Sequence, residues 1–237
     1  MIPNLRKMIV PPPGRGFFDL DLDSADLRIV TWESNCRWMK DCFSAGRKPY
    51  VELAREYYHD PSITKNHPSY PTFKRFCHGT NYLGQPATMA GQCGLLVHEA
   101  DRLQSWYFGV CPEIKTWQEN FVAKFLATST VRNAFGYQCK FFDRLEGNII
   151  NEAVAWIPQS TVALVINNGW RNIDRNLPDV WIHLQVHDSL VGSYEIEKEA
   201  EMLEAVKRET TIVVPYPDPL VIPVGLKTSH VSWGDCK

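Results

Sequence analysis

The sequence predicts an α+β fold: an antiparallel sheet backed by helices, with a helical subdomain inserted into it. Three stretches predict it. In residues 17–23, Phe18, Leu20 and Leu22 alternate with Asp19, Asp21 and Asp23, a period of two that gives a strand one apolar face and one carboxylate face. In residues 179–194, Val180, Ile182, Leu184 and Val186 alternate with Trp181, His183, Gln185 and His187. That pattern breaks at His187-Asp188-Ser189 and resumes at Leu190-Val191, so a hairpin is expected with Asp188 at its tip. Between the two, segments from Tyr50 to Ala127 carry apolar residues at helical spacing.

With 237 residues the chain can form one large domain or two small ones around a buried core. Apolar residues make up 44% and charged residues 22%, the balance of a soluble globular protein. No apolar run reaches the length of a membrane span and no N-terminal signal pattern is visible, so a cytoplasmic location without membrane contact is expected. The seven cysteines are scattered without a CxxC pair, which argues against a zinc site and for reduced thiols. A net charge of −2 argues against a globally basic nucleic-acid binder, although binding follows the local field.

The elements follow in order. Residues 1–16, with Pro11-Pro12-Pro13-Gly14, read as loop. The first strand of the sheet covers 15–23 and runs into a helix to about Glu33, with Ser24 as N-cap and Asp26 in the first turn. Residues 35–60 are mixed, with a basic break at Gly46-Arg47-Lys48-Pro49 and a helix starting near Tyr50. Pro61, Pro68 and Pro71 mark an exposed loop, and Pro71 suits the first turn of the next helix. That helix carries Lys74, His78 and Tyr82 at spacings of four, hence on one face. Gly79 inside it costs about 1 kcal/mol against alanine, which points to a close approach, either to a ligand or to a packing partner. Residues 86–104 and 113–127 read as helices, the second amphipathic through Ile114, Trp117, Phe121 and Phe125. Residues 129–147 read as a hairpin or extended region. A long helix over 149–167 contains Pro158, which predicts a kink, and is expected to end at Gly169. Residues 195–209 read as a surface helix with Ile196, Leu203 and Val206 inward, followed by strands from Thr211 to Val214 and from Leu220 to Val224.

Three carboxylates on one strand face repel one another unless a positive charge meets them, and a divalent cation is an economical partner. A solvated edge strand also fits that pattern, and Asp188 at a turn also fits an Asx cap. If the two strands are neighbours in one antiparallel sheet, Asp21 and Asp188 converge. Two carboxylates can hold two Mg²⁺ ions about 4 Å apart for an in-line phosphoryl displacement. Lys, imidazole and phenol in a row suit a phosphate, a sugar and a base, and equally suit an ordinary exposed stripe.

At these residues the chain resembles the C-terminal part of a family A DNA polymerase, of the bacterial DNA polymerase I and phage-replicase type. Asp21-Leu-Asp-Ser-Ala-Asp-Leu-Arg28 is similar to that family's first carboxylate motif, usually Asp-Tyr-Ser-Gln-Ile-Glu-Leu-Arg. Lys74-x-x-x-His78-Gly-x-x-Tyr82 is similar to the fingers-helix motif, and Leu184-Gln-Val-His-Asp-Ser-Leu190 to the motif usually written Leu-Gln-Val-His-Asp-Glu-Leu. Pro158-Gln159-Ser-Thr resembles the Gln-Gly-Thr segment of the primer-contacting helix, Pro3-Asn-Leu an upstream Pro-Asn-Leu-Gln segment, and Pro219-Leu-Val and Ser-Trp-Gly-Asp-Cys-Lys the family's C-terminal end.

The resemblance implies template-directed DNA synthesis, transfer of a nucleotide from a dNTP to a primer 3′-hydroxyl by two Mg²⁺ ions. Asp21, Asp188 and the Leu22 carbonyl match the metal ligands. Lys74 matches the triphosphate-contacting lysine, His78 the residue packed on the deoxyribose, and Tyr82 the tyrosine under the templating base. Asp26 matches the glutamate that excludes a ribose 2′-hydroxyl, and Gln159, Gln185 and His187 match contacts to DNA. Ser189 replaces an auxiliary acid, Tyr70 stands where an outer-phosphate arginine is usual, with Lys65, His67 and Arg75 as nearby substitutes, and Leu83 stands where glycine follows the tyrosine. The implied palm covers 1–33 and 129–237, with the fingers at 34–128. The family's thumb would lie before Met1, so a thumb-containing partner chain is one expectation, and a phage source would make the location the host cytoplasm. The alternative is a DNA-binding fragment of a split or truncated polymerase that is non-catalytic or works only with a thumb.

Overall fold

A computed structural model describes residues 4–142, 144 and 148–237. Pro3 and, at the end of the 129–147 stretch, residues 143 and 145–147 lie outside the described residues. Nine helices are seen among them: α1 (Ala25–Ser34), α2 (Arg37–Ser44), α3 (Pro49–Tyr58), α4 (Tyr70–Asn81), α5 (Pro86–Cys93), α6 (Val97–Val110), α7 (Pro112–Thr128), α8 (Asn148–Asn176) and α9 (Glu199–Glu209). The strands are β1 (Arg15–Leu22), β2 (Thr130–Arg132), β3 (Gln138–Lys140), β4 (Trp181–Val186), β5 (Ser189–Glu195), β6 (Val213–Val214), β7 (Leu220–Val221) and β8 (Val224–Ser229). The chain divides into two compact units, Met1–Asp26 with Gln159–Lys237, and Leu27–Pro158. The breaks read from the sequence fall after residues 33 and 128.

The first unit is built on an antiparallel sheet of order β4-β5-β1-β8. β1 is central because its apolar residues leave water entirely: Phe18 and Leu20 are 0% exposed and Leu22 is 1% exposed. Gly192 on β5 has no side chain because Phe18 and the Trp181 carbonyl fill the space where a Cβ would stand. β4 and β5 form the expected hairpin. α9 packs on β5 and β8 through Met202, Ala205 and Val206. β6 and β7 pair separately as a short ribbon, so of the C-terminal strands only β8, which begins where the sequence reading ended a strand, joins the sheet. The N-terminal turn Leu5–Met8 packs against the C-terminal turn Trp233–Asp235. There Arg6 lies 4.4 Å over the Trp233 ring, Lys7 pairs with Asp235 at 3.3 Å, and the Trp233 N–H donates to the Ile9 carbonyl at 2.9 Å.

The second unit is helical apart from the β2–β3 hairpin. Met39, Leu53, Phe73, Phe76, Tyr107 and Ile114, drawn from α2, α3, α4, α6 and α7, share one core. A smaller cluster of Phe125, Val131, Ala153 and Ile157 seats the hairpin against α7 and the start of α8.

Several expectations are corrected. Residues 37–44 form a helix, α2, whose Met39, Cys42 and Phe43 are buried at helical spacing. The 86–104 segment is two helices, because Gly94 takes the left-handed φ of +68° that ends α5. Gly169 does not end α8, which continues to Asn176. A Cβ there would stand 3.1 Å from Thr210 Cγ2, so this glycine serves packing. Ile196 is 37% exposed, because it precedes α9 in a 3₁₀ turn. Ser24 has φ +54° and its hydroxyl donates to Asp23 Oδ1 at 3.3 Å. α8 is long and apolar enough, by length and composition, to cross a membrane, contrary to the reading from the sequence. Its hydropathy comes from residues such as Ala153, Val154, Val165 and Ile166, which are buried inside the protein.

Candidate active site

The site in the first unit is made by strand pairing. Asp21 lies opposite Ser189, one residue from Asp188, and the Leu22 N–H donates to the Asp188 carbonyl at 3.1 Å. The two aspartates therefore converge, as the alternation requires once β1 and β5 are neighbours. The β4–β5 turn presents Asp188: His187 takes φ +54°, and the Ser189 hydroxyl donates to the Val186 carbonyl at 2.9 Å, closing the turn. Among the described residues neither the Asp21 nor the Asp188 carboxylate has a hydrogen-bond or ion-pair partner, so the Asx-cap reading of Asp188 fails. Partial burial raises the Asp21 carboxyl above its ordinary value. The negative charges of Asp188, Asp19 and Asp23 add to this, and Lys227 opposes it.

A cleft of about 540 Å³ opens beside the pair. It is lined by Ala25, Asp26, Gln159, Val162, Ala163, His187 and Asp188. Four residues singled out in the sequence thus share one cavity: Asp26 from the first turn of α1, Gln159 from α8, and His187 and Asp188 from the hairpin. Val162 and Ala163 were not foreseen, though they follow Gln159 at the i+3 and i+4 positions of one helix face. Gln185 is exposed on the edge strand β4 and does not line the cleft. The Leu22 side chain is core. Among the described residues no cluster of three or more His, Cys, Asp or Glu side chains is arranged to hold a metal ion. The two carboxylates fit a divalent cation on another ground: they are converged, mutually repelling and without a protein partner among the described residues.

The second unit carries the other candidates. Lys74 is exposed on α4, and His78 meets Tyr82 edge-to-face at 5.0 Å. Lys74 has no hydrogen-bond or ion-pair partner among the described residues. Tyr82 follows the last residue of α4 and is held by the way that helix stops. The Leu83 N–H donates to the Thr80 carbonyl and the Gly84 N–H to the Gly79 carbonyl, the paired bonds of a Schellman motif. Leu83 takes its left-handed position, φ +65°, where glycine is the usual residue.

Gln118, which the sequence reading missed, donates to the carbonyls of Thr80 and Asn81 at 2.7 and 3.0 Å. Gln104, also missed, donates to the Gly84 carbonyl at 2.7 Å. Asn81 in turn donates to the Tyr50 hydroxyl at 3.1 Å and accepts from Tyr107 at 2.7 Å. Gly79 lies against the end of the Met89 side chain, 2.5 Å from where a Cβ would stand. Tyr70 is buried and its phenol is pushed up by that burial, so it is a core residue. Of its nearby substitutes, Arg75 donates to the Gln92 carbonyl at 3.2 Å, His67 lies 3.9 Å from Asp60, and Lys65 is exposed.

Residues 2–233 match the sequence profile described as DNA polymerase family A. No curated protein sequence matches significantly. Among solved structures the chain is similar to the "POL domain of Pol1 from M. smegmatis complex with DNA primer-template and dNTP", with a TM-score of 0.86 at 19% sequence identity. The likeness covers 96% of this chain and 42% of that one.

Proposed function

The chain belongs to DNA polymerase family A, and from that premise we propose that it performs template-directed DNA synthesis, in replication or repair, on a primer-template with dNTPs. The observation that carries the reading is the convergence of Asp21 and Asp188, both without partners for their carboxylates among the described residues, beside the cleft that holds Asp26, Gln159 and His187. The M. smegmatis relative's complex with DNA primer-template and dNTP supports the choice of partners.

In this reading Asp21 and Asp188, with the Leu22 carbonyl, would hold two Mg²⁺ ions, whose charge would favour the ionised primer 3′-hydroxyl and offset that of the phosphates. Lys74, unpaired on α4, meets the triphosphate as a point charge. His78 and Tyr82 hold the sugar and base through ring faces, and Asp26 closes the position of a ribose 2′-hydroxyl. Gln159, Gln185 and His187 orient the duplex. Positioning of this kind is what phosphoryl transfer asks of a protein.

Primer extension with Mg²⁺ and four dNTPs tests it. Wild-type chain extends, and Asp188→Ala or Asp21→Ala lowers extension at least a hundredfold while primer-template binding stays within a few-fold. Extension that survives both substitutions sinks the assignment. A folded wild-type chain that binds primer-template and extends it only when a thumb-containing chain is added selects the thumb-dependent fragment instead.

A further inference from the structure

We propose that Asp19, held by the Trp233 indole and set across from Lys227, adjusts how tightly the Asp21–Asp188 pair binds a divalent cation. The inference rests on the reading of that pair as the ion-holding carboxylates. Strand alternation puts Asp19 on the same face of β1 as Asp21, about 7 Å away along the strand. That is too far to share a directly bound ion with it in ordinary geometry, and near enough for its charge to be felt by one. The Asp19 carboxylate has a fixed place: Trp233 Nε1 donates to its Oδ2 at 2.8 Å. Trp233 is itself fixed by the Ile9 carbonyl and by the Arg6 guanidinium over its ring. On the neighbouring strand β8, Lys227 lies directly opposite Asp19, and opposite Asp21 stands Gly225, with no side chain at all. Besides Asp23, which follows the end of β1, the carboxylate face therefore carries the negative charge of Asp19 and the opposing positive charge of Lys227, both anchored on rigid strands and neither needed as a ligand. Ser189, the β5 residue opposite Asp21, is uncharged, so a third carboxylate beside the pair comes from β1 itself.

Mn²⁺ binding to the full-length chain, measured by calorimetry and by the loss of the free-ion electron-spin signal, tests this without any turnover. Asp19→Asn is expected to weaken binding about three- to tenfold, and Lys227→Gln to tighten it about two- to fivefold, because the two charges oppose each other. Ser189→Glu placed in the Asp19→Asn background moves the lost charge to the other side of Asp21 and should restore binding to within about twofold. Trp233→Phe keeps the Asp19 charge and frees its rotamer, so it should weaken binding less than Asp19→Asn. Binding that drops in Asp21→Ala yet is unchanged in Asp19→Asn and Lys227→Gln overturns the inference alone. So does weakening of the same sign in Asp19→Asn and Lys227→Gln, the mark of general structural damage. Binding that survives Asp21→Ala overturns the reading of the carboxylate pair and the inference with it.

Discussion

His183 sits where one proton decides a small network. Its Nε2 is 2.9 Å from the Ser193 hydroxyl, and that hydroxyl already accepts from Arg15 Nε at 2.9 Å. The Ser193 hydroxyl can donate to that nitrogen only while the ring is neutral there. Burial, and then the Arg15 charge, hold the imidazole below its ordinary value. The unfolded residue takes its proton near pH 6.5 and the folded one only at lower pH, so this contribution is complete above pH 6.5 and is lost as pH falls through that window. Denaturant titrations at pH 7.5 and 5.5 should show a smaller acid-induced drop in midpoint for His183→Gln than for wild type. Equal drops would remove His183 from the account. Asp26 is the second residue with a separate consequence. It lines the cleft, and its side chain is one methylene shorter than the glutamate its motif resembles. Asp26→Glu should sharpen the preference for dNTP over rNTP in single-nucleotide incorporation, and an unchanged ratio would end its assignment to the sugar.

Among the elements, α4 shows how a helix end fixes a side chain. Its last carbonyls would be orphans; Gln118 from α7 satisfies those of Thr80 and Asn81, and Gln104 from α6 holds the Gly84 carbonyl of the turn that follows. The turn that follows requires a left-handed residue, and here that residue is Leu83. A leucine in this region is held at a cost of about 1–2 kcal/mol. Leu83→Gly should thus melt no lower than wild type despite losing a side chain, whereas the β-branched Leu83→Val should lose about 1 kcal/mol or more. A lower midpoint for Leu83→Gly would show that packing of this leucine outweighs the backbone. The spacing of Lys74, His78 and Tyr82 was legible from periodicity. Their support was not, since Gln118 lies thirty-eight residues from Thr80 and nothing local marks it. α2 shows the opposite case: Met39, Cys42 and Phe43 announce its buried face, and only its brevity hides it among polar neighbours.

For the whole molecule, the decisive feature is that one unit is discontinuous. β1 from the start of the chain lies between β5 and β8 from its end, so the sheet cannot form until distant segments meet. Gly192 guards that meeting. A Cβ there would stand 2.7 Å from the Trp181 carbonyl and run into Phe18. Gly192→Ala should destabilise this unit by about 1–3 kcal/mol. Hydrogen exchange should quicken in β1, β4 and β5 and stay unchanged in the α3, α4 and α6 core, and uniform quickening would show that the two units unfold as one. The sequence by itself determined the strand faces, the β4–β5 hairpin, the α4 stripe and the identity of the acids, because each is written in a period of two or four residues. Only the tertiary structure decided that Asp21 meets Asp188, that Asp26 and Gln159 join Asp188 at one cleft, and that Gly79 and Gly169 face packed side chains. Strand order and helix contacts are set by the burial of residues far apart in the chain, and a local pattern carries no record of its distant partner.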